Sequence, residues 1–367
     1  MAARLDLVPV GEWGFFTLPR PMVVAGPCSA ETEEQVMETA SALAAEGIHM
    51  LRAGIWKPRT HPGCFEGIGP EGLKWLRRVK DELGMFVCTE VAGEKHVAEC
   101  LKAGVDMVWL GARTTVNPFL VQEIADALRG TDIPVLVKNP VNPDIDLWIG
   151  ALERLNRAGI RKLGVIHRGF TTYEKIQYRN APGWQVAVEL RTRIPELPFF
   201  VDPSHMGGKR EFVADISQRG LDLGFEGLMV ESHCNPDCAL SDAAQQLTPA
   251  ALGKMLSSLA VRDKDSDDIS YREGIDAQRA RIDMIDEEIL SLLKSRMDAS
   301  AGIGRYKKEH NISIVQAARW DSLLSDMIEK GGEKGLSEKF VRELFAAIHE
   351  ASVDVQNRIM EESSPEK

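Results

Sequence analysis

Between residues 21 and 233, eight short apolar runs alternate with amphipathic stretches, and this alternation constrains the fold more than any other feature of the chain. The runs are PMVVAG (21–26), HMLRAG (49–54), FVCTEV (86–91), DMVWLGA (106–112), PVLVKN (134–139), KLGVIHRG (162–169), PFFVDPS (198–204) and GLMVESH (227–233). Each is short enough for a strand buried on both faces, and six of the eight end in Gly or a polar residue. Between them, stretches such as EEQVMETASALAAEG, EGLKWLRRVKDELG and NPFLVQEIADALRG carry helical periodicity and stop near Gly. Eight even units predict an α/β fold, a closed (β/α)8 barrel, with a doubly wound open sheet as the alternative. The first 20 residues read as an extension with no domain of its own.

After the eighth unit the character changes. VRDKDSDDISYRE (261–273) is charged, holds four Asp and has no apolar period, which reads as a linker. Beyond it no strand signal remains, and three helical segments are expected at roughly 274–309, 316–330 and 337–361. The first would be about 50 Å long, too long to stand without a partner, so the tail is expected to build a homodimer, within a higher oligomer as an option. The scheme is a barrel over 1–260, a linker over 261–273, a small all-α domain over 274–361 and a short tail over 362–367.

The chain's 367 residues and 44% apolar content support two or three domains with real cores. A formal charge of −11 argues against nucleic acid or a membrane surface as partner. MAARLDLVPVGEWGFF has no long apolar segment and no stretch approaches a membrane span, so a cytoplasmic location is expected. Six cysteines in so long a chain do not suggest a disulfide scaffold, and Cys234 and Cys238 lack the second pair of a zinc knuckle.

In such a barrel the chemistry sits at the C-terminal ends of the strands. One chemically active residue stands there after every run: Cys28, Arg52, Glu90, Arg113, Lys138, Arg168, His205 and Glu231. Two groups separate. Cys28, His205, Glu231 and Asp242 offer a thiolate, an imidazole and two carboxylates, which suits a divalent transition metal (Mn, Fe, Co or Zn) better than Mg or Ca. Arg52, Lys57, Arg59, Arg113, Lys138 and Arg168 are cations in an acidic chain and fit two phosphorylated small molecules, one also bearing a carboxylate.

AGPCS (25–29), KPRT (57–60), GARTT (111–115), VDPSH (201–205) and the Glu231/Asp242 pair resemble the type Iβ class of 3-deoxy-D-arabino-heptulosonate 7-phosphate (DAHP) synthases over about 20–258. The resemblance implies condensation of phosphoenolpyruvate with erythrose 4-phosphate, with Mn2+ the foremost metal and Fe2+, Co2+ or Zn2+ as alternatives. It makes Cys28, His205, Glu231 and Asp242 the metal ligands. Arg52, Lys57, Arg113, Lys138 and Arg168 would hold phosphoenolpyruvate, and Arg59 and Thr60 the sugar phosphate. Lys57 is the candidate for proton handling, and the Arg cations neutralise charge. The chain departs from this pattern at His167, where an acidic residue is expected before Arg-Gly. The rival on the same barrel, 3-deoxy-octulosonate 8-phosphate synthase, is expected to show KANRS in place of KPRT.

In the tail, Ile275, Ile282, Ile285, Ile289, Leu292 and Ile303 mark an apolar stripe. Arg296 falls on it, Lys307 returns to the same face, Arg279 points about a quarter-turn away, and Ser352 and Gln356 share a face. R-x2-I-x3-D (279–286), Arg296, Gly304-x2-Lys307, Arg319 and S-x3-Q (352–356) resemble the all-helical chorismate mutases over about 274–361. The resemblance implies rearrangement of chorismate to prephenate in an intertwined dimer. Arg279 of the partner chain and Arg296 would bind carboxylates, Lys307 and Gln356 the ether oxygen, with Arg319 and Ser352 in support. Trp320 stands where the family often has Glu, and Gln316 replaces an acidic residue, so a domain that senses chorismate or prephenate is the alternative. Feedback on the barrel by prephenate, or by chorismate, is the expected reason for the fusion.

Overall fold

All eight apolar runs contain parallel strands: β1 Met22–Gly26, β2 Met50–Arg52, β3 Phe86–Val91, β4 Met107–Leu110, β5 Val135–Lys138, β6 Leu163–His167, β7 Phe199–Val201 and β8 Gly227–Glu231. Each pairs with its neighbour in sequence, and β1 also pairs with β8 (Gly26 opposite Glu231), so the sheet closes and the open-sheet alternative falls. Alternation sorts the side chains. Val24, Met50, Trp109, Ile166, Phe200 and Met229 fill the barrel interior, while Leu51, Val87, Val108, Val165 and Val230 face the helices outside. The structure is a computed structural model and describes residues 4–15, 21–58, 63, 65–173, 175–262, 267–314 and 317–361.

The extension before β1 closes the barrel's N-terminal mouth. Val10–Glu12 form a short 3-10 turn, and buried Trp13 joins the interior cluster with its Nε1 donating to Val8 O at 3.0 Å. Phe15 packs on Phe86 at the start of β3. An apolar floor therefore leaves the opposite mouth for chemistry.

The chain separates into two compact units, Met1–Lys264 and Asp265–Lys367. The second consists of helices Ile269–Glu309, Ala317–Glu333 and Glu338–Glu361, the third packed on both others. The linker expected through 273 is corrected here: its last five residues are helical, because Asp268 is an N-cap whose carboxylate accepts from Ser270 N at 2.9 Å. The first helix has 41 residues and spans about 60 Å. Ile282, Ile285, Ile289 and Leu292 stay exposed on it within one chain. No helix among the described residues is long and apolar enough to cross a membrane.

Candidate functional site

At the C-terminal mouth, Cys28, His205, Glu231 and Asp242 each offer a ligand atom, all within 4.8 Å of one another, a cluster able to hold a metal ion. Local sequence explains each placement. In V-D-P-S-H, Asp202 caps the short helix Pro203–Gly207, with Pro203 at its first position and Oδ1 accepting from His205 N at 3.0 Å. Its other oxygen pairs with His205 Nδ1 at 2.8 Å and with Lys138 Nζ at 2.8 Å. Nδ1 therefore carries the proton and Nε2 presents its lone pair to the cluster. Burial lowers the His205 pKa and keeps the ring neutral, although Asp202 and Glu231 oppose this. Glu231 ends β8, fully buried, with Oε2 accepting from Gln245 Nε2 at 2.7 Å. Its Oε1 has no hydrogen-bond partner and lies 3.3 Å from Arg52 Nη1 and 3.5 Å from His205 Nε2. Asp242 sits at φ 50, a conformation that non-Gly residues rarely adopt, with Oδ2 3.4 Å from Cys28 Sγ.

The electrostatics suit a cation. Burial, with Glu231 and Asp242 nearby, pushes the Cys28 thiol up to about 12. Burial opposes ionisation of Glu231 too, yet the Arg52 and Lys57 cations hold it below the usual carboxylate range. An orphaned carboxylate oxygen, a thiol, a carboxylate and an imidazole nitrogen with its lone pair inward form a mixed donor set for a divalent transition metal. Lys57 Nζ lies 3.0 Å from Cys28 Sγ and donates to Cys28 O at 2.8 Å. Gly54 permits that approach, since a Cβ there would stand 2.7 Å from Cys28 O and 3.2 Å from Lys57 Nζ. Although burial works against it, Cys28 and Glu231 keep Lys57 above its ordinary pKa and hence protonated.

Beside the cluster lies a cavity of about 250 Å³ whose lining includes Arg113, Lys138, Arg168, Arg179 and Glu90. Arg113 donates to Pro58 O at 3.3 Å, and Arg168 to Asn180 Oδ1 at 2.8 Å. Burial brings Arg168 down to about 10, and the Arg179 and Arg113 charges push the same way, the signature of cations gathered for an anion. Arg52 is buried over the Trp109 ring at 5.0 Å and donates to Cys28 O at 3.1 Å, while its Nε and Nη1 make no hydrogen bond. Arg59 and Thr60 lie outside the described residues. His167 is buried among Trp148, Phe170, Trp184 and Phe225, with Nε2 2.7 Å from Pro182 O. Burial lowers its pKa to about 4, and a carboxylate in that aromatic nest would be costly.

In the helical unit, Arg296 donates to Ser352 Oγ, and to Ile348 O at 3.5 Å. Buried Gln356 donates to Ser352 O at 3.3 Å and leaves its Oε1 without a hydrogen-bond partner. Lys307 donates to Ile314 O. Arg279 is not brought to this group: it is exposed beside Asp276 at 3.5 Å, 17 residues or about 25 Å along the helix from Arg296. Arg319 is exposed, Gln316 lies outside the described residues, and Trp320 stacks on His349 with centroids 4.1 Å apart.

The sequence pattern of the DAHP synthetase I family matches residues 19–266, more than half of the chain. The chain belongs to the DAHP synthetase I family. The pattern described as chorismate mutase type II matches residues 278–357, so the barrel is followed by a chorismate mutase domain, consistent with transferase and isomerase activities in one chain. A phospho-2-dehydro-3-deoxyheptonate aldolase of Thermotoga maritima is 37% identical over 240 residues, covering 65% of this chain and 67% of that protein. A 2-dehydro-3-deoxyphosphooctonate aldolase of Nitratidesulfovibrio vulgaris is 29% identical over 257 residues, covering 66% and 91%. The crystal structure of the Thermotoga DAHP synthase superposes with a TM-score of 0.59 at 35% identity, covering 64% of this chain and 67% of that one.

The barrel mouth also contains residues that strand-end reasoning missed: Asp202, Arg179, Asn180, Gln245 and Gln246. VDPSH contained the signal for Asp202, since Asp before Pro is an N-cap pattern. Gln245 ends a short 3-10 turn and the others sit in loops, and none had a local signal. His349, one turn before Ser352 on the last helix, likewise had no local signal.

Proposed function

We propose that the barrel condenses phosphoenolpyruvate with erythrose 4-phosphate, and that the helical domain rearranges chorismate to prephenate and reports its ligand state to the barrel. The observation that carries the first part is the donor cluster set against a cavity lined by Arg113, Lys138 and Arg168. Cys28, His205, Glu231 and Asp242 would hold a divalent ion, Mn2+ foremost, which supplies Lewis-acid polarisation of an aldehyde oxygen. Arg52, Arg113, Lys138 and Arg168 bind and orient the phosphate and carboxylate of phosphoenolpyruvate, and neutralise charge as phosphate leaves. Lys57, held protonated beside Cys28, donates a proton at the condensing centre. Arg59 and Thr60 bind the sugar phosphate.

For the mutase, the buried and unpartnered Gln356 Oε1 beside the Arg296–Ser352 pair supports this polar group as the one that meets the substrate. Catalysis there needs positioning and charge rather than an acid or base. The exposed stripe at Ile282, Ile285, Ile289 and Leu292, and the distance of Arg279 from Arg296, support a dimer in which Arg279 serves the partner's site. The second reading, a sensor without turnover, is favoured by Trp320, which stacks on His349 where the family often has Glu. Feedback requires that prephenate bind one arrangement of the two units better than another, with a typical coupling of about 1–3 kcal/mol.

The test is to assay both reactions on the full chain and on halves separated within 263–266. Manganese-dependent phosphate release that requires erythrose 4-phosphate supports the synthase; a faster reaction with arabinose 5-phosphate overturns it. Synthase rates that saturating prephenate leaves unchanged, or that it lowers equally in the isolated barrel, refute the feedback.

A further inference from the structure

The donor cluster is held from outside by groups that the reaction itself does not require. Gln245, buried, donates from Nε2 to Glu231 Oε2 at 2.7 Å, and its Oε1 accepts from Arg179 Nη1 at 2.9 Å. The same Arg179 nitrogen donates to Asp242 Oδ1 at 3.0 Å. We propose that Arg179 and Gln245 are one positioning unit, which presets the two carboxylates of the cluster for a divalent cation. The inference rests on the metal reading given above.

Three features carry it. First, the same side of each carboxylate is engaged. The outer oxygens, Glu231 Oε2 and Asp242 Oδ1, are tied, whereas Glu231 Oε1 faces His205 Nε2 at 3.5 Å and Asp242 Oδ2 faces Cys28 Sγ at 3.4 Å. A carboxylate turns easily about its terminal bond, so a fixed inward oxygen needs such a tie. Second, the Gln245 amide cannot be reversed. Arg179 has only donors, so Oε1 must face it and the NH2 group must face Glu231. Arg179 therefore orients Glu231 through Gln245 while holding Asp242 directly.

Third, Arg179 is anchored independently of the cluster. Its N donates to Gly207 O at 3.2 Å, and its stem lies so close to Gly208 (φ +72) that a Cβ there would stand 2.5 Å from Arg179 Cβ. Loops after β6 and β8 are thereby joined at one guanidinium. The head group is half-exposed, so its effect is through geometry more than through charge. The Asp242 that it contacts has a left-handed backbone conformation, φ 50.

The experiment is calorimetric titration of Co2+ into the metal-free full-length chain and its variants, with thermal unfolding of each metal-free variant as a control. Arg179→Leu and Gln245→Leu are each expected to weaken Co2+ binding about 10–100-fold. The double variant should be little worse than either single one, and Arg179→Lys should recover part of the loss. Co2+ affinity within twofold of wild type in both single variants overturns the proposal. Independent effects, in which the double loss is the product of the single losses, overturn the single unit. An Arg179→Leu chain that binds Co2+ normally but shows a raised KM for phosphoenolpyruvate makes Arg179 a substrate cation and also overturns it. If Gln245→Leu does not fold, the Arg179 variants decide alone. Cys28→Ser separates the two levels: if it too binds Co2+ like wild type, the metal reading fails together with the inference.

Discussion

Replacing Arg52 with Met removes one member of a fully buried ion pair and leaves the other in place. Arg52 is 1% exposed and Glu231 0%, with Nη1 3.3 Å from Oε1. Removing one partner of a buried pair typically costs about 3–5 kcal/mol, because the remaining charge is uncompensated. Two features pull the figure to the low end. Glu231 keeps the Gln245 amide and the nearby Lys57 cation, and Arg52 itself carries two buried nitrogens without hydrogen bonds. The metal-free protein should therefore lose about 3 kcal/mol.

A divalent ion on Glu231 supplies the missing positive charge, so the loss in its presence should shrink to about 1 kcal/mol, the packing of Arg52 on Trp109. Thermodynamic closure then requires the variant to bind metal about 30-fold more tightly, the equivalent of the roughly 2 kcal/mol difference. Urea unfolding followed by tryptophan fluorescence reads the barrel, since six of the seven Trp precede residue 200. Titrations run with chelator and with saturating Mn2+ give both values. A loss below about 1 kcal/mol without metal, or an equal loss in both conditions, refutes the reasoning.

Other outcomes follow from single sites. Cys28→Ser should weaken Mn2+ binding by at least roughly 100-fold, beyond the effect of an outer hydrogen-bond partner, and make DAHP synthesis sensitive to mild chelation; calorimetry and a phosphate-release assay read both. His167, about 4 when folded against about 6.5 unfolded, takes up its proton on unfolding, so its contribution is intact above pH 6.5 and is lost as pH falls toward 4. His167→Gln, which can still donate to Pro182 O, should flatten that acid limb of the stability curve, and an unchanged limb would contradict the assignment. Trp320→Glu should raise chorismate turnover about tenfold, one added hydrogen bond to substrate; no gain, in a chain that binds a bicyclic transition-state analogue, favours the sensor.

Periodicity and punctuation were enough to read the barrel, because strands buried on both faces must be short apolar runs and the helices between them must be striped. The same pattern located Cys28, Arg52, Glu90, Lys138, Arg168 and Glu231 at or just beyond strand ends, where a closed barrel gathers whatever polar groups the strands end in. Tertiary structure decided what those groups touch. Cys28 N meets Gln246 across 218 residues, and Arg179 reaches Asp242 across 63, pairings that no local window contains. Trp13 looked like part of a featureless extension until closure of the sheet created the floor it fills. Asp268 was one charge in an acidic run until the backbone beyond it turned helical and left an N–H for it to accept. The tail shows the same division. Its apolar stripe is written in the residues, but Ile282, Ile285, Ile289 and Leu292 remain uncovered within one chain, because helical spacing specifies which face is apolar and not what will bury it.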